Sequence, residues 1–210
     1  MKNMRSYEEW KKYGSETNSV SVTWNQKDLE DLEWEATYQV DEIPPEDVWD
    51  TFATKNKKEM EEMYKDWGAP KEGSLHYMCI RPKLNEGLSS LLDPYSDKKF
   101  NYNFLKLTQG CSLLWHYDTY ATFVRFNDIP EEKIDQVCRT VVMTSDWDRG
   151  QMLQIGDAVY THWKAGTTYT WKGDTWHGMA NFGPNECVVS QITFLDEEGD
   201  VMIEKMNKPL

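Results

Sequence analysis

Three side chains in this sequence carry metal-ligating chemistry at positions that let them meet. His116 and Asp118 stand two residues apart in Trp115-His-Tyr-Asp118, at the end of an apolar, strand-like run. On an extended segment residues i and i+2 project to one face, so an imidazole and a carboxylate aim at a common point. Far along the chain, Trp176-His-Gly-Met-Ala-Asn181 supplies a second imidazole, His177. Two imidazoles and one carboxylate on one face of a metal ion leave positions open for substrate and O₂, and that donor set suits Fe(II). A His-x-Asp pair alone is a weak signal. Its setting here strengthens it. The pair follows a Gln109-Gly110 turn, and His177 follows a Gly173-Asp174 turn and an aromatic residue.

These three residues need a β framework to bring them together. From Asn101 onward the apolar segments are short and β-like: Tyr102–Leu107, Ser112–His116, Thr140–Thr144, Met152–Ile155, Ala158–His162, Thr167–Trp171 and Val188–Phe194. Gly110, Gly150, Gly156, Gly166, Gly173 and Gly183 punctuate the stretches between them. Short strands at regular spacing predict an antiparallel sandwich or barrel. Pro130-Glu-Glu132 predicts a short helical turn before Arg139. Upstream, Ser19 to Trp24 alternates like a short strand, residues 45–66 read as one helix, and Ser74 to Ile80 reads as a strand. The expected class is mainly β with N-terminal helices. The expected organisation is one domain over 1–210, with an N-terminal α/β extension over 1–100, a catalytic core over 101–195 and a tail over 196–210.

Composition narrows the function classes. The chain has 210 residues, with 36 Asp and Glu against 23 Lys and Arg, a net charge of −13. Such a molecule repels phosphate, which argues against nucleic acid and anionic membrane as partners. No segment approaches the ~18 apolar residues of a membrane span. The N-terminal residues lack the apolar core of a secretory signal, and the four cysteines (Cys79, Cys111, Cys138, Cys187) form no CxxC pair. Both features point to reduced thiols and a cytoplasmic location. Only five of the 23 basic residues are arginine: Arg5, Arg81, Arg125, Arg139 and Arg149. His76 and His162 are expected to be structural, and Trp115, Trp147, Trp163, Trp171 and Trp176 to build core or pocket wall.

Four stretches together resemble the Fe(II)- and 2-oxoglutarate-dependent oxygenases, and within them the aspartyl/asparaginyl β-hydroxylase branch and its prolyl-hydroxylase relatives. They are Gly110-Cys-Ser-Leu-Leu-Trp-His-Tyr-Asp118, Arg139-Thr-Val-Val-Met-Thr144, Trp163-Lys-Ala-Gly166 with Tyr169-Thr-Trp171, and Asp174-Thr-Trp-His-Gly-Met-Ala-Asn-Phe182. The resemblance implies a double-stranded β-helix of the jelly-roll or cupin type. It implies Fe(II) held by His116, Asp118 and His177, and 2-oxoglutarate as cosubstrate, decarboxylated to succinate as O₂ hydroxylates a substrate. That substrate would be an Asp, Asn or Pro side chain of a protein, or a free amino acid.

Relatives of this kind place an Arg or Lys about ten residues beyond the distal histidine to hold the far carboxylate of 2-oxoglutarate. Here Cys187 occupies that place and no basic residue follows until Lys205. A buried dicarboxylate still needs a cation or several donors. Arg139 is the first substitute and Arg125 the second, with hydroxyls from Tyr102, Ser190 and Thr193 in support. Arg81 is expected to serve the substrate instead. Two other functions fit the same residues: a metal-dependent cupin-like enzyme that does not use 2-oxoglutarate, which the Cys187 substitution favours, and a non-catalytic β-sandwich binding protein.

Overall fold

The computed structural model describes residues 15–17, 20–39, 62–69, 71–118, 120–172, 175–199 and 201. Eleven strands are defined among these residues. They are β1 (Ser15–Thr17), β2 (Glu35–Tyr38), β3 (Leu75–Ile80), β4 (Phe100–Leu107), β5 (Cys111–His116), β6 (Val137–Met143), β7 (Gln151–Ile155), β8 (Ala158–Tyr160), β9 (Thr168–Lys172), β10 (His177–Asn181) and β11 (Cys187–Leu195). They form a seven-stranded sheet, β1-β9-β6-β11-β4-β3-β2, and a four-stranded sheet, β5-β10-β7-β8. Every strand pair is antiparallel.

From β4 onward the chain passes back and forth between the sheets. β4, β6, β9 and β11 lie in the large sheet, and β5, β7, β8 and β10 in the small one. That winding is a double-stranded β-helix, the jelly-roll architecture of cupins. The core between the sheets is built from Leu105, Val141, Met143, Leu153, Ile155, Trp171 and Val189, among others. β11 is buried along nearly its whole length because its other face is covered as well. On that outer face Cys138, Val142, Val188, Ile192 and Phe194 pack against Val20, Trp24, Leu29, Leu88, Leu91 and Tyr95 from earlier in the chain. Each such side chain contributes on the order of 2 kcal/mol of transfer free energy.

The strand limits shift by a few residues from those read in the sequence, and one expected element differs in kind. Residues 20–25 form no strand. Only Val20 and Trp24 of the alternating residues are buried on the outer face, with the Trp24 indole donating to Thr144 O at 2.8 Å, while Val22 between them is 49% exposed, so the burial does not follow the period of two. Asn25 then caps a helix over Gln26–Glu30 through a capping box with Asp28. Of the helix expected over 45–66, only 62–66 lie within the described residues, and these are helical. Several elements were not anticipated: the strands β1 and β2, the strand β10, whose small and polar residues hide its character, and short helices over Gln26–Glu30, Glu86–Ser89, Ser90–Tyr95 and Ala121–Phe126.

Candidate metal centre and its cavity

His116 closes β5 and His177 opens β10, and the two face each other directly across the antiparallel pair. Their rings lie 4.3 Å apart between centroids. The register shifts between His177 and Met179, and Gly178 sits in that irregularity. A Cβ at Gly178 would lie 3.1 Å from Leu113 O and 3.4 Å from the Trp115 Cα, so glycine lets the strands approach closely enough to pair the histidines. Upstream, Gly110 at φ 80° makes the left-handed turn that sends the chain from β4 into β5.

Each imidazole is oriented by its own strand. His116 Nδ1 bonds Leu114 O at 2.6 Å, and His177 Nδ1 bonds Thr175 O at 2.9 Å, each to the carbonyl two residues back. Donation from Nδ1 leaves Nε2 with its lone pair free to ligate, the usual carbonyl-supported state of a metal-binding histidine. Asp118 follows β5, with Oδ2 3.7 Å from His177 Nε2. One ligand atom from each of His116, Asp118 and His177 lies within 4.8 Å of the others. Donors about 2.1 Å from one ion stand about 3 Å apart on adjacent positions, so a bound ion would draw the three groups slightly together.

The protonation states fit a metal site. Burial, with the neighbouring His116 next in weight, pushes His177 from 6.5 to about 3, so its imidazole is neutral at physiological pH. Burial would raise Asp118, but Arg139, His177 and His116 outweigh it and hold the carboxyl well below the usual carboxylate range. A neutral imidazole and an ionised carboxylate are what a divalent ion requires.

Arg139, on β6, donates from Nε to Asp118 Oδ2 at 3.0 Å. Its guanidinium lies 5.5 Å from the centroid of the buried Tyr120 ring. Tyr120 takes a left-handed backbone, φ 52°, at the bend between Asp118 and the helix over Ala121–Phe126. Bulky residues adopt that conformation only where their surroundings impose it. His177 also packs against Trp171, at 4.5 Å between centroids.

A cavity of about 370 Å³ opens beside this group, lined by Asp118 and Arg139 together with Arg81, Asn101, Asn103, Gln191 and Thr193 among others. The residues expected to bind a cosubstrate are distributed unevenly around it. Arg139 lines it but is paired to Asp118. Tyr102 contributes to the wall, while its hydroxyl donates to Pro82 O at 2.6 Å. Arg125 is exposed and is not part of the lining; its guanidinium lies 5.4 Å from the Phe126 ring centroid. Ser190 is buried on the outer face of β11, between Val188 and Ile192, and the structure does not bring it to the cavity. Thr193 and Gln191, which share the parity of core-facing Val189, line it instead. Strand parity with Val189 was the available signal that separates Thr193 from Ser190. Asn101, Asn103, Gln191 and Tyr120 carried no motif and become visible only through the register of β4, β11 and β6.

Cys187 belongs to the inter-sheet core, where burial pushes its thiol up to about 12. It fills space where a cosubstrate-holding base was expected. His76 is buried, and the exposed His162 stacks on Trp147 at 4.0 Å; neither belongs to the His116, Asp118, His177 group.

No family model and no curated protein matches the sequence. Solved structures with a similar fold include a predicted oxalate decarboxylase from Thermotoga maritima, 12% identical over 58% of this chain and 81% of that one, with a TM-score of 0.37. A cupin domain from Bordetella pertussis Tohama I is 14% identical over 56% of this chain and 90% of that one, at TM-score 0.34. A Klebsiella pneumoniae protein with a double-stranded β-helix domain is 18% identical over 51% and 76%, at TM-score 0.33. The architecture of this chain is read from its own strand order. No helix among the described residues is long and apolar enough to cross a membrane.

Proposed function

We propose that this chain is a non-haem Fe(II)- and 2-oxoglutarate-dependent dioxygenase that hydroxylates an amino-acid side chain, of a protein or of a free amino acid. The observation that supports it is the convergence of His116, Asp118 and His177, with both Nδ1 atoms occupied by backbone carbonyls and one ligand atom of each residue within 4.8 Å of the others. Two histidines and one carboxylate on one face suit Fe(II) and leave open positions. Bound iron would supply O₂ activation coupled to decarboxylation of 2-oxoglutarate to succinate.

The chain's own residues do the rest. His116 and His177 present fixed, neutral imidazoles. Arg139 keeps Asp118 ionised and oriented. The core around Trp171 keeps bulk water from the inner side of the site. Arg139 is the residue proposed to meet the far carboxylate of 2-oxoglutarate. The four cysteines are free and buried, in keeping with a cytoplasmic setting.

The test is succinate formation from 2-oxoglutarate with Fe(II). His116→Ala and Asp118→Ala should each abolish it, and turnover retained in both would remove these residues from the site. Arg139→Ala should raise the KM for 2-oxoglutarate more than Arg125→Ala does, because Arg139 lines the cavity and Arg125 does not.

A second reading, a metal-dependent cupin-like enzyme that does not use 2-oxoglutarate, is favoured by one observation. Arg139 is already paired to Asp118, and the core-facing residues of β11 include no cation. Metal binding through the same three residues without any succinate would select it.

A further inference from the structure

The cavity beside the metal group has a charge character opposite to that of the molecule. The chain carries 36 acidic residues, yet among the described residues Asp118 is the one carboxylate in the lining, and it is spent on Arg139 and the metal position. Three of the five arginines gather at this end of the barrel: Arg139 at depth, Arg81 in the lining, and Arg125 beside Phe126. Among the described residues Arg81 has no carboxylate partner. Its guanidinium lies 5.3 Å from the Phe126 ring centroid, a cation–π contact. With the Asn101 amide turned so that its nitrogen donates to Phe100 O at 3.0 Å, its oxygen accepts from Arg81 Nη2 at 3.0 Å. One hydrogen bond and one ring face hold the group in place, and most of its five donors remain available.

Two further features bear on the ligand. Ile80, which lines the cavity, and Phe126, whose ring lies against Arg81, are 65% and 62% exposed, large apolar surfaces beside that guanidinium. Inside, Asn103 Oδ1 is buried with no hydrogen-bond partner. A buried acceptor left unpaired costs about 1–3 kcal/mol, so turning the Asn103 amide toward a ligand donor in the cavity that this residue lines would recover that cost.

We infer that this cavity takes a small carboxylate with an apolar body and at least one N–H or O–H donor, the chemistry of an N-acylated hydrophobic amino acid, with Arg81 as the carboxylate anchor. This deepens the proposed function by naming the substrate class of the same site. It places the negative group at the mouth, against Arg81 and Phe126, the N–H on Asn103, and the remainder of the molecule beside the metal ligands. Arg81 is exposed, so the discrimination rests on the guanidinium's directed N–H donors and its charge, which favour an acid over its neutral amide of the same shape.

The experiment is calorimetric titration of the full chain with N-acetylphenylalanine and, separately, with N-acetylphenylalaninamide. Each is run on metal-free and on Mn(II)-loaded protein. The acid should bind at least about tenfold more tightly than the amide. Arg81→Asn suits the left-handed backbone at this position, φ 48°. It should weaken the acid about tenfold and leave the amide unchanged, while Arg81→Lys should keep part of the preference. The same discrimination in metal-free His116→Ala protein would support the anchor whatever becomes of the metal reading. Equal binding of acid and amide, an unaffected Arg81→Asn variant, or binding of neither probe at millimolar concentration would overturn the proposal. Acid binding that needs Mn(II) and ignores Arg81 would assign the carboxylate to the metal, overturning the anchor but leaving the metal reading intact.

Discussion

Arg139 Nε donates to Asp118 Oδ2 at 3.0 Å, so the one acid of the metal-ligating group already has a cation partner from another strand. The side chains are 14% and 19% exposed, so the pair is largely withdrawn from water. Removing one partner of such a pair leaves an uncompensated charge and costs about 3 kcal/mol. Arg139→Gln should therefore lower the Tm of the metal-free protein. Mn(II) or Co(II) should then raise the Tm of the variant more than that of the wild type, because the ion replaces the lost positive charge. Equal metal-induced shifts in the two proteins would show that Arg139 and the ion do not share Asp118.

Metal affinity itself should depend on all three ligands. His116→Ala, Asp118→Ala and His177→Ala should each lower Co(II) affinity by at least about a hundredfold, since even supporting residues around metal ligands are worth about 10–100-fold. His162→Ala should leave it unchanged, because His162 lies outside the group. Competition against a chromogenic chelator gives both numbers.

The metal-free protein should lose stability as pH falls. The folded chain keeps His177 neutral down to about 3, whereas the unfolded chain protonates it near its ordinary value of 6.5. Across that window the unfolded state binds the extra proton, so stability drops as pH is lowered. Asp118, held low in the fold, works in the same direction. Its contribution is fully present above the ordinary carboxyl value of 3.8 and is lost as pH falls through the folded value. Thermal melts of chelator-treated protein from about pH 7 to about pH 4 should show a steady decline that is shallower in His177→Phe. A flat profile would show that His177 titrates normally.

Gly178→Ala should disturb the site without touching a ligand. The added methyl meets Leu113 O at 3.1 Å and the Trp115 Cα at 3.4 Å, both backbone atoms of the facing strand. Overpacking of this kind costs about 1–3 kcal/mol, and here the strain falls on the β5–β10 pairing that aligns the two histidines. Lower Tm together with weaker Co(II) binding is expected. A lower Tm with unchanged affinity would separate the bulge from the metal geometry.

The cysteines should be inert in the native state. Burial pushes Cys138 and Cys187 up to about 12, with all four thiols buried. At pH 8 about one Cys187 thiol in ten thousand is ionised, so iodoacetamide should react slowly with the folded chain and fully after denaturation. Fast native labelling of Cys187 would mean that the inter-sheet core opens.

Much of this was legible in the residues themselves. The His-x-Asp pair and the distal histidine are short-range patterns, and the period-two alternation of apolar residues is dictated by the pleat, so ligating residue types and most strands could be read directly. Strand β10 was hidden because Gly178, Ala180 and Asn181 lack the branched side chains that mark a strand, and the segment is held by pairing on both sides. Val20 to Trp24 misled because its apolar alternation does not match its burial: Val20 and Trp24 are buried but Val22 is 49% exposed, and no partner strand pairs with the segment. Which basic and polar groups meet the ligands was decided by tertiary structure. Arg139 reaches Asp118 only because β6 lies in the large sheet opposite the end of β5. Ser190 and Thr193 part company because a strand sends alternate side chains to opposite faces, and only the assembled sheets settle which face is the cavity. The ligand chemistry is written in residue type and local spacing. The charge of the pocket depends on which distant strands are neighbours, a long-range property that composition, with its excess of acids, did not reveal.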